Sequence, residues 1–301
     1  MQITFEKHQQ EFLDHLLYQK RYSRHTLLSY ENDLSGFHTY LEIEFPGLAA
    51  DGIKTTFIRS WLADLKEKGI SSKTINRKIS SLRSFFKYLL KKEAVKSNPV
   101  TAVISPKMPK RLPQFVEESG MERLFSGETV FPEGLKGLTE MLILKVLYHT
   151  GMRKSELIGI KEGHVDMVNS TIKVLGKGNK ERIIPVSPAL MAELKRYAAE
   201  KKGEPGSNES GYLFVTGKGT KLDPKQVYNI VKKYLQLVTT TDKKSPHILR
   251  HSFATHLMNN GADLNAVKEL LGHSSLAATQ VYTHNSIEKL KDVYKKAHPK
   301  A

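Results

Sequence analysis

Residues 165–186 read VDMVNSTIKVLGKGNKERIIPV, and their apolar side chains follow the two-residue period of β-strands. Turn-forming residues at Asn169-Ser170 and at 176–180 divide this stretch into three short runs. The three runs are Val165–Val168, Thr171–Leu175 and Arg182–Val186. Two turns at this spacing predict a small antiparallel meander. Because the chain on both sides has helical periodicity, the expected fold class is mainly α with a small antiparallel β-sheet.

The region around the meander, residues 114–301, predicts an α+β domain. The strongly apolar run Leu138–Tyr148 is suited to a helix in the middle of the core. Six more helices are predicted near Pro188–Lys201, Asp223–Val238, His247–Asn259, Asp263–Leu271, Leu276–Thr283 and Ser286–Lys296.

Residues 1–95 predict a bundle of four helices. The first lies near Phe5–Tyr18, the second starts near Ser23, and the third ends before Gly69. The fourth helix has apolar residues on its inner face, from Ile75 to Leu89. Its opposite face points away from the core and carries Lys73, Arg77, Ser84, Lys87 and Lys91. This basic face is either an ordinary solvated surface or a contact surface for a phosphate backbone.

A segment rich in proline and cations, residues 96–113, separates the two helical regions. It carries positive charge without nearby acids, at Lys96, Lys107, Lys110 and Arg111. The pattern predicts an extended linker. A linker of this composition lies along DNA or forms a solvated hinge.

Charge and composition narrow the classes of function. The 301 residues include 47 Lys+Arg and 31 Asp+Glu, a net charge of +16. Such an excess favours a polyanionic partner, usually nucleic acid, over a merely basic protein or a binder of membrane surfaces. The absence of cysteine excludes disulfides, thiolate-held metals and a cysteine nucleophile. With no signal-peptide pattern and no apolar stretch long enough to span a bilayer, we expect a soluble, cytoplasmic protein without a membrane partner.

Five short stretches carry side chains suited to chemistry: Thr150–Leu157, Gly176–Arg182, His247–His251, Leu271–Ser275 and Thr279–His284. In the first, Arg153 is expected at a helix N-terminus, where its guanidinium and free backbone N–H groups converge on an anion. The alternative is a surface arginine paired with Glu156. In the second, glycines flank Lys177 in a turn that reaches a ligand or is merely solubilising; the glycine spacing does not match a P-loop.

The remaining stretches contain histidine, arginine and tyrosine. His247 and Arg250 are three residues apart and share one helical face. A zinc site at His247 and His251 is not supported, since the glutamate of the zinc helix motif and all cysteines are missing. His273 follows a glycine turn, and Tyr282 comes nine residues later, either near it in a site or as ordinary packing.

Taken in order, six residues of these stretches resemble the active-site series of the tyrosine recombinase (phage-integrase-type) family: Arg153, Lys177, His247, Arg250, His273 and Tyr282. The resemblance covers essentially the whole chain. It implies an N-terminal domain at 1–95 that clamps DNA, a basic linker at 96–113 and a catalytic domain at 114–301. The compact length is most similar to the Xer subgroup, which resolves chromosome dimers.

The resemblance implies a site-specific recombinase that cuts and rejoins DNA through a covalent 3′-phosphotyrosyl intermediate. Tyr282 is then the nucleophile, Arg153 and Arg250 hold the phosphate oxygens, and Lys177 protonates the leaving 5′-oxygen. His247 and His273 add donors, and either histidine accepts the tyrosine proton. No metal, cofactor or ATP is expected. The residues expected to contact DNA are Lys73, Arg77, Lys87, Lys91, Lys107, Lys110 and Arg111.

The implied partners are a double-stranded DNA recombination site, a tetramer of one or two kinds of recombinase chain, and a DNA translocase that activates it. The helix Ser286–Lys296 docks into a neighbouring protomer or packs on its own chain. Three alternatives stay open: an integrase or excisionase of a mobile element, a non-catalytic architectural DNA-binding protein, and a metal-dependent nuclease.

Overall fold

The computed structural model describes residues 4–108, 114–126, 131–176, 181–203, 210–272 and 293–299. The chain divides into two compact units, Met1–Arg111 and Leu112–Ala301. Helices dominate both units, and the second contains a small three-stranded antiparallel sheet. The expected fold class is therefore confirmed.

The first unit contains four α-helices. They are α1 (Phe5–Asp14), α2 (Arg24–Glu44), α3 (Thr55–Glu67) and α4 (Ser72–Lys91). A π-helical turn, His15–Gln19, extends the first helix, and a 3₁₀ turn, Ala50–Gly52, precedes the third. Serine side chains define two of the starts, because Ser23 accepts the Thr26 N–H group and Ser71 accepts that of Thr74.

The segment predicted as the start of an extended linker packs on this bundle. Val100 and Val103 are buried in the same core as the aromatic residues of the helices. Three bundle side chains donate hydrogen bonds to carbonyl oxygens of the segment: Thr55 to Pro99 (2.8 Å), Arg59 to Ala102 (3.0 Å) and Asn76 to Pro106 (3.0 Å). Apolar burial and satisfied carbonyls thus hold the chain as far as Pro106. Residues 109–113 lie outside the described ranges.

Seven α-helices are described in the second unit: α5 (Glu118–Phe125), α6 (Gly134–Thr150), α7 (Lys154–Gly159), α8 (Pro188–Lys202), α9 (Pro224–Val238), α10 (Pro246–Asn259) and α11 (Leu264–Leu271). A 3₁₀ turn, Glu162–His164, follows α7. As its composition predicts, α6 lies in the middle of the core, with nearly every residue from Leu138 to Thr150 buried. No helix in the described part of the chain has both the length and the apolar character needed to cross a membrane.

The sheet consists of three antiparallel strands in the order of the chain. They are β1 (Val165–Asp166), β2 (Thr171–Leu175) and β3 (Glu181–Pro185). The first strand is shorter than predicted, because the Asp166 carboxylate accepts the backbone N–H groups of Val168 and Asn169 and starts the turn early. Ile172 faces Ile184 in the register, and Val174 faces Arg182.

The predicted helix Leu276–Thr283 lies outside the described residues, as does most of Ser286–Lys296. Residues 293–297 are helical. Tyr294 and Ala297 pack in one cluster with Phe253 and Leu257 of the same chain.

Candidate active site

The site is built where two helices end. α6 ends at Thr150, and the C-cap residue Gly151 has φ +58°; a Cβ atom on Gly151 would lie 2.4 Å from the Phe253 ring. Both the backbone conformation and the close approach therefore require glycine. Two residues later, Arg153 is the N-cap residue of α7, as predicted. Its backbone N–H is not free, since it donates to Glu156 Oε2 at 2.7 Å.

The two arginines of the predicted series converge on the ends of α6 and α11. Arg250 is only 8% exposed, and its two Nη atoms donate to the carbonyl oxygens of Gly151 and Leu271, both at 2.8 Å. Arg153 Nη2 donates to the carbonyl oxygen of Gly272 at 3.4 Å. The structure thus brings together two guanidinium groups that are 97 positions apart in the sequence.

His247 stands close enough to this pair for the charges to act on its ring. Desolvation of part of the ring, together with the positive charges of Arg250, Lys154 and Arg153, lowers the pKa of His247. The imidazole is therefore neutral at pH 7 and can accept a proton. Burial and the neighbouring charge of Arg153 lower the pKa of Arg250 to about 10, so its guanidinium is still positive at neutral pH.

Two buried residues support Arg153: Glu156, expected from the sequence only as a possible surface partner, and Arg182, which no sequence motif indicated. Glu156 is buried and accepts a hydrogen bond from Arg153 Nη1 (2.8 Å) and a fork of two from Arg182 (2.9 and 2.8 Å). Burial alone would raise the pKa of Glu156, but the hydrogen bonds of the two arginines and the charge of Arg182 lower this pKa to about 2. The pairing of Arg153 with Glu156 is therefore not an isolated surface contact but part of a buried network.

Three residues of the predicted series, Lys177, His273 and Tyr282, lie outside the described residues. Gly272 is the last described residue before His273. His251, the second histidine of the rejected zinc pair, is exposed. Within the described ranges, no group of three or more His, Asp or Glu side chains is arranged to hold a metal ion.

The residues expected to contact DNA fall into three groups. Lys73, Lys87 and Lys91 are exposed on α4, and Lys107 is exposed beyond it. Arg77 is different, because it pairs with Asp33 and donates to Ser29 Oγ at 2.8 Å. Lys110 and Arg111 lie outside the described residues.

Asp33 is fully buried and holds α2 against α4. Besides Arg77, it accepts hydrogen bonds from Lys78 (3.2 Å) and Ser81 (2.8 Å). A signal was present in the sequence, since Asp33 lies between Tyr30 and Phe37 on the apolar stripe of α2. A carboxylate at such a position requires a buried cationic partner.

Comparisons with known proteins match both units. Residues 115–289 match the Phage integrase family, and residues 10–93 match its N-terminal SAM-like domain. A tyrosine recombinase XerC of Staphylococcus saprophyticus is 41% identical over 296 residues, which cover 98% of either chain. A tyrosine recombinase XerC of Bacillus subtilis is 38% identical and covers 96% of this chain and 95% of its own.

A solved structure shares the architecture. It is the XerH site-specific recombinase bound to a palindromic difH substrate in a post-cleavage complex. The TM-score is 0.69 at 25% identity, and the match covers 89% of this chain and 78% of that one. Full-length identity to XerC proteins and a family match across both units support the same assignment. The chain therefore belongs to the phage integrase family of tyrosine recombinases and is a site-specific recombinase of the Xer subgroup.

Proposed function

We propose that this recombinase cuts and rejoins DNA through a 3′-phosphotyrosyl intermediate formed on Tyr282. The phenolic oxygen attacks the scissile phosphorus, and the bond between phosphorus and the 5′-oxygen breaks. Each ester bond that is broken is replaced by another, so strand exchange proceeds without ATP. Attack of a free 5′-hydroxyl on the phosphotyrosine then releases Tyr282 and rejoins the strand.

The convergence of Arg153 and Arg250 carries this proposal. A phosphodiester in its transition state gathers negative charge on the non-bridging oxygens, and two guanidinium forks can bind those oxygens with fixed geometry. Their N–H donors already meet oxygen atoms at Gly151, Leu271 and Gly272. Each of these Nη atoms carries a second N–H group, which suits an oxygen of a phosphate.

Two protons must move in the cleavage step. The Tyr282 hydroxyl has to lose its proton, and His247 is the acceptor that we assign, because its lowered pKa keeps the ring neutral at pH 7. The leaving 5′-oxygen has to gain one, and we assign Lys177 as the donor, as the family resemblance implies. His273 is assigned as a further hydrogen-bond donor to the phosphate.

The biological role proposed is resolution of chromosome dimers before cell division. The XerC names of the relatives and the DNA substrate of the XerH complex support it. The partners would be a double-stranded recombination site, further recombinase protomers of one or two kinds in a tetramer, and a DNA translocase. The site of action would be the cytoplasm. In the proposed organisation, residues 1–95 form a domain that clamps DNA, residues 96–113 form the linker, and residues 114–301 form the catalytic domain.

The test is a suicide substrate, a recombination site nicked next to the cleavage point so that the released fragment diffuses away. Wild-type protein should accumulate covalent protein–DNA adducts with the DNA attached through its 3′-phosphate, and Tyr282→Phe should form none. Cleavage without a trapped adduct, or cleavage that stops in EDTA, would support a metal-dependent nuclease. Binding without any cleavage would leave only an architectural role.

The exposed lysines of α4 should account for part of the salt dependence of DNA binding. Replacing Lys87 and Lys91 by glutamine should make the plot of log affinity against log salt less steep by about 0.9 for each phosphate that a lysine no longer neutralises. Lys68→Gln is the control, because this lysine pairs with Asp64 on α3 and should leave the slope unchanged. Equal slopes for the double variant and the wild type would remove α4 from the DNA interface.

A further inference from the structure

Arg182 occupies a buried position in β3 where the sheet pattern would place an apolar residue. It shares the inward face with Ile184, faces Val174 across the register and is 5% exposed. A buried guanidinium is costly unless nearly all its donors are paired. Here, the two Nη atoms form a fork on Glu156, and Nε donates to the carbonyl oxygen of Leu270 at 3.0 Å.

The bond to Leu270 is one of three that hold the end of α11. Arg182 Nε donates to Leu270, Arg250 Nη2 to Leu271 and Arg153 Nη2 to Gly272. The last carbonyl groups of a helix have no partner within the helix and carry its negative end, so cations are stabilising there. Three arginines from three different elements thus bind three consecutive carbonyl groups, and the next residue along the chain is His273.

The turn at Gly272 is fitted to Arg182. Gly272 has φ +65°, and a Cβ atom on it would lie 3.0 Å from Arg182 Cδ and 3.1 Å from Nη1. The arginine side chain therefore packs along the turn from which the chain continues toward His273. The two Nη atoms of Arg182 fix the carboxylate of Glu156. This carboxylate in turn accepts hydrogen bonds from both the backbone N–H and Nη1 of Arg153.

We infer that Arg182 is a positioning residue for strand cleavage. It acts through Glu156 on the orientation of Arg153 and through Leu270 on the end of α11, and it does not touch the phosphate. The inference rests on the proposed phosphotyrosyl reaction. Lysine at this position would keep the positive charge but would lose the fork and the separate Nε donor, so charge alone should not restore the function.

The experiment measures single-turnover cleavage of the suicide substrate at saturating protein. Arg182→Lys should lower the rate constant for adduct formation on the order of 10²-fold, as expected when a binding group is displaced by about an ångström. The dissociation constant for DNA should stay within about threefold of the wild type, since Arg182 itself binds no phosphate. The rate constant at saturation does not depend on the fraction of protein that is folded, so partial destabilisation affects only the amplitude.

Two comparisons separate positioning from a general structural effect. Lys201→Met removes another buried cation of this unit, which bonds Glu162 and the Tyr212 and Leu213 carbonyl oxygens, and should leave the rate constant unchanged. In an Arg153→Ala background, Arg182→Lys should lower the rate constant by less than about tenfold, because much of its route of action is already gone.

Three results would overturn the inference. They are a wild-type rate constant for Arg182→Lys, an equal loss in Lys201→Met, and the full loss persisting without Arg153. A wild type that forms no adduct would instead overturn the proposed function and leave Arg182 as a purely structural residue.

Discussion

Arg250→Ala is expected to lower the rate of DNA cleavage by roughly 10²–10³-fold, the usual cost of removing one preorganised donor from a developing oxyanion. Arg250 is suited to this role because its neighbours restrict it. Its guanidinium is largely buried, and Gly151 and Leu271 fix both Nη atoms at 2.8 Å. A donor that is already oriented and desolvated need not reorganise when charge develops on the phosphate. The measurement is the single-turnover rate of adduct formation on the suicide substrate.

The neighbouring residue provides the control. His251 follows Arg250 in α10 but is exposed, so His251→Gln should cleave at the wild-type rate. Arg250→Lys should recover little of the missing activity, since an ammonium group does not supply two parallel donors. A rate for Arg250→Ala within about threefold of the wild type would show that this arginine is structural and not part of the reaction.

Except for α5, which was not predicted, the helices could be predicted from the sequence because local patterns determine them. Apolar spacing identified α6 as a core helix. Capping residues indicate the starts of α2, α9 and α11, where Ser23, Asp223 and Asp263 each accept a backbone N–H group. The strands could also be predicted from a local pattern, because alternating apolar residues and two turns specify a meander without reference to the rest of the chain. β3 is shifted by one residue, and β1 ends two residues early because the Asp166 side chain competes for the backbone N–H groups that follow it.

The residues that support the active site could not be predicted from local patterns. Order along the chain grouped Arg153 with Arg250, but it gave no reason to include Arg182, whose partners Glu156 and Leu270 are 26 and 88 positions away. Alternation did hold a clue. Residues 182 and 184 share one face of a strand, so a buried Ile184 implies a buried Arg182 and hence a buried acid to pair with it. Charged side chains usually indicate the surface, but Arg182 and Glu156 are buried in the core.

The packing of the segment that follows α4 also could not be predicted from local patterns. Prolines correctly indicated that helical structure stops after α4, yet they do not determine whether the following chain is free or packed. The segment is packed, because the apolar side chains of Val100 and Val103 are buried in the core of the first unit. Three polar side chains of α3 and α4 satisfy the carbonyl groups that irregular backbone leaves open.

The buried network at Glu156 should make the second unit sensitive to acid. The folded pKa of Glu156 is about 2 against an ordinary value of 4.5. Because the folded value is the lower one, its contribution to the free energy of unfolding is complete above pH 4.5 and is lost as the pH falls toward 2. The shift corresponds to about 3 kcal/mol over that window, at 1.36 kcal/mol for each pKa unit.

Glu156→Gln should remove this pH dependence and lower the free energy of unfolding at pH 7 by about 3–5 kcal/mol, since it leaves the buried Arg182 without its counter-ion. Unfolding by urea is followed by circular dichroism from pH 7 to pH 3. Trp61 lies in the first unit and is the only tryptophan of the chain, so its fluorescence reports the unfolding of that unit. Glu193→Gln is the control, because its partly exposed pair with Lys145 should contribute less than about 1 kcal/mol. If Glu156→Gln and the wild type lost stability in parallel as the pH fell, protonation of Glu156 would not be what weakens the folded protein in acid.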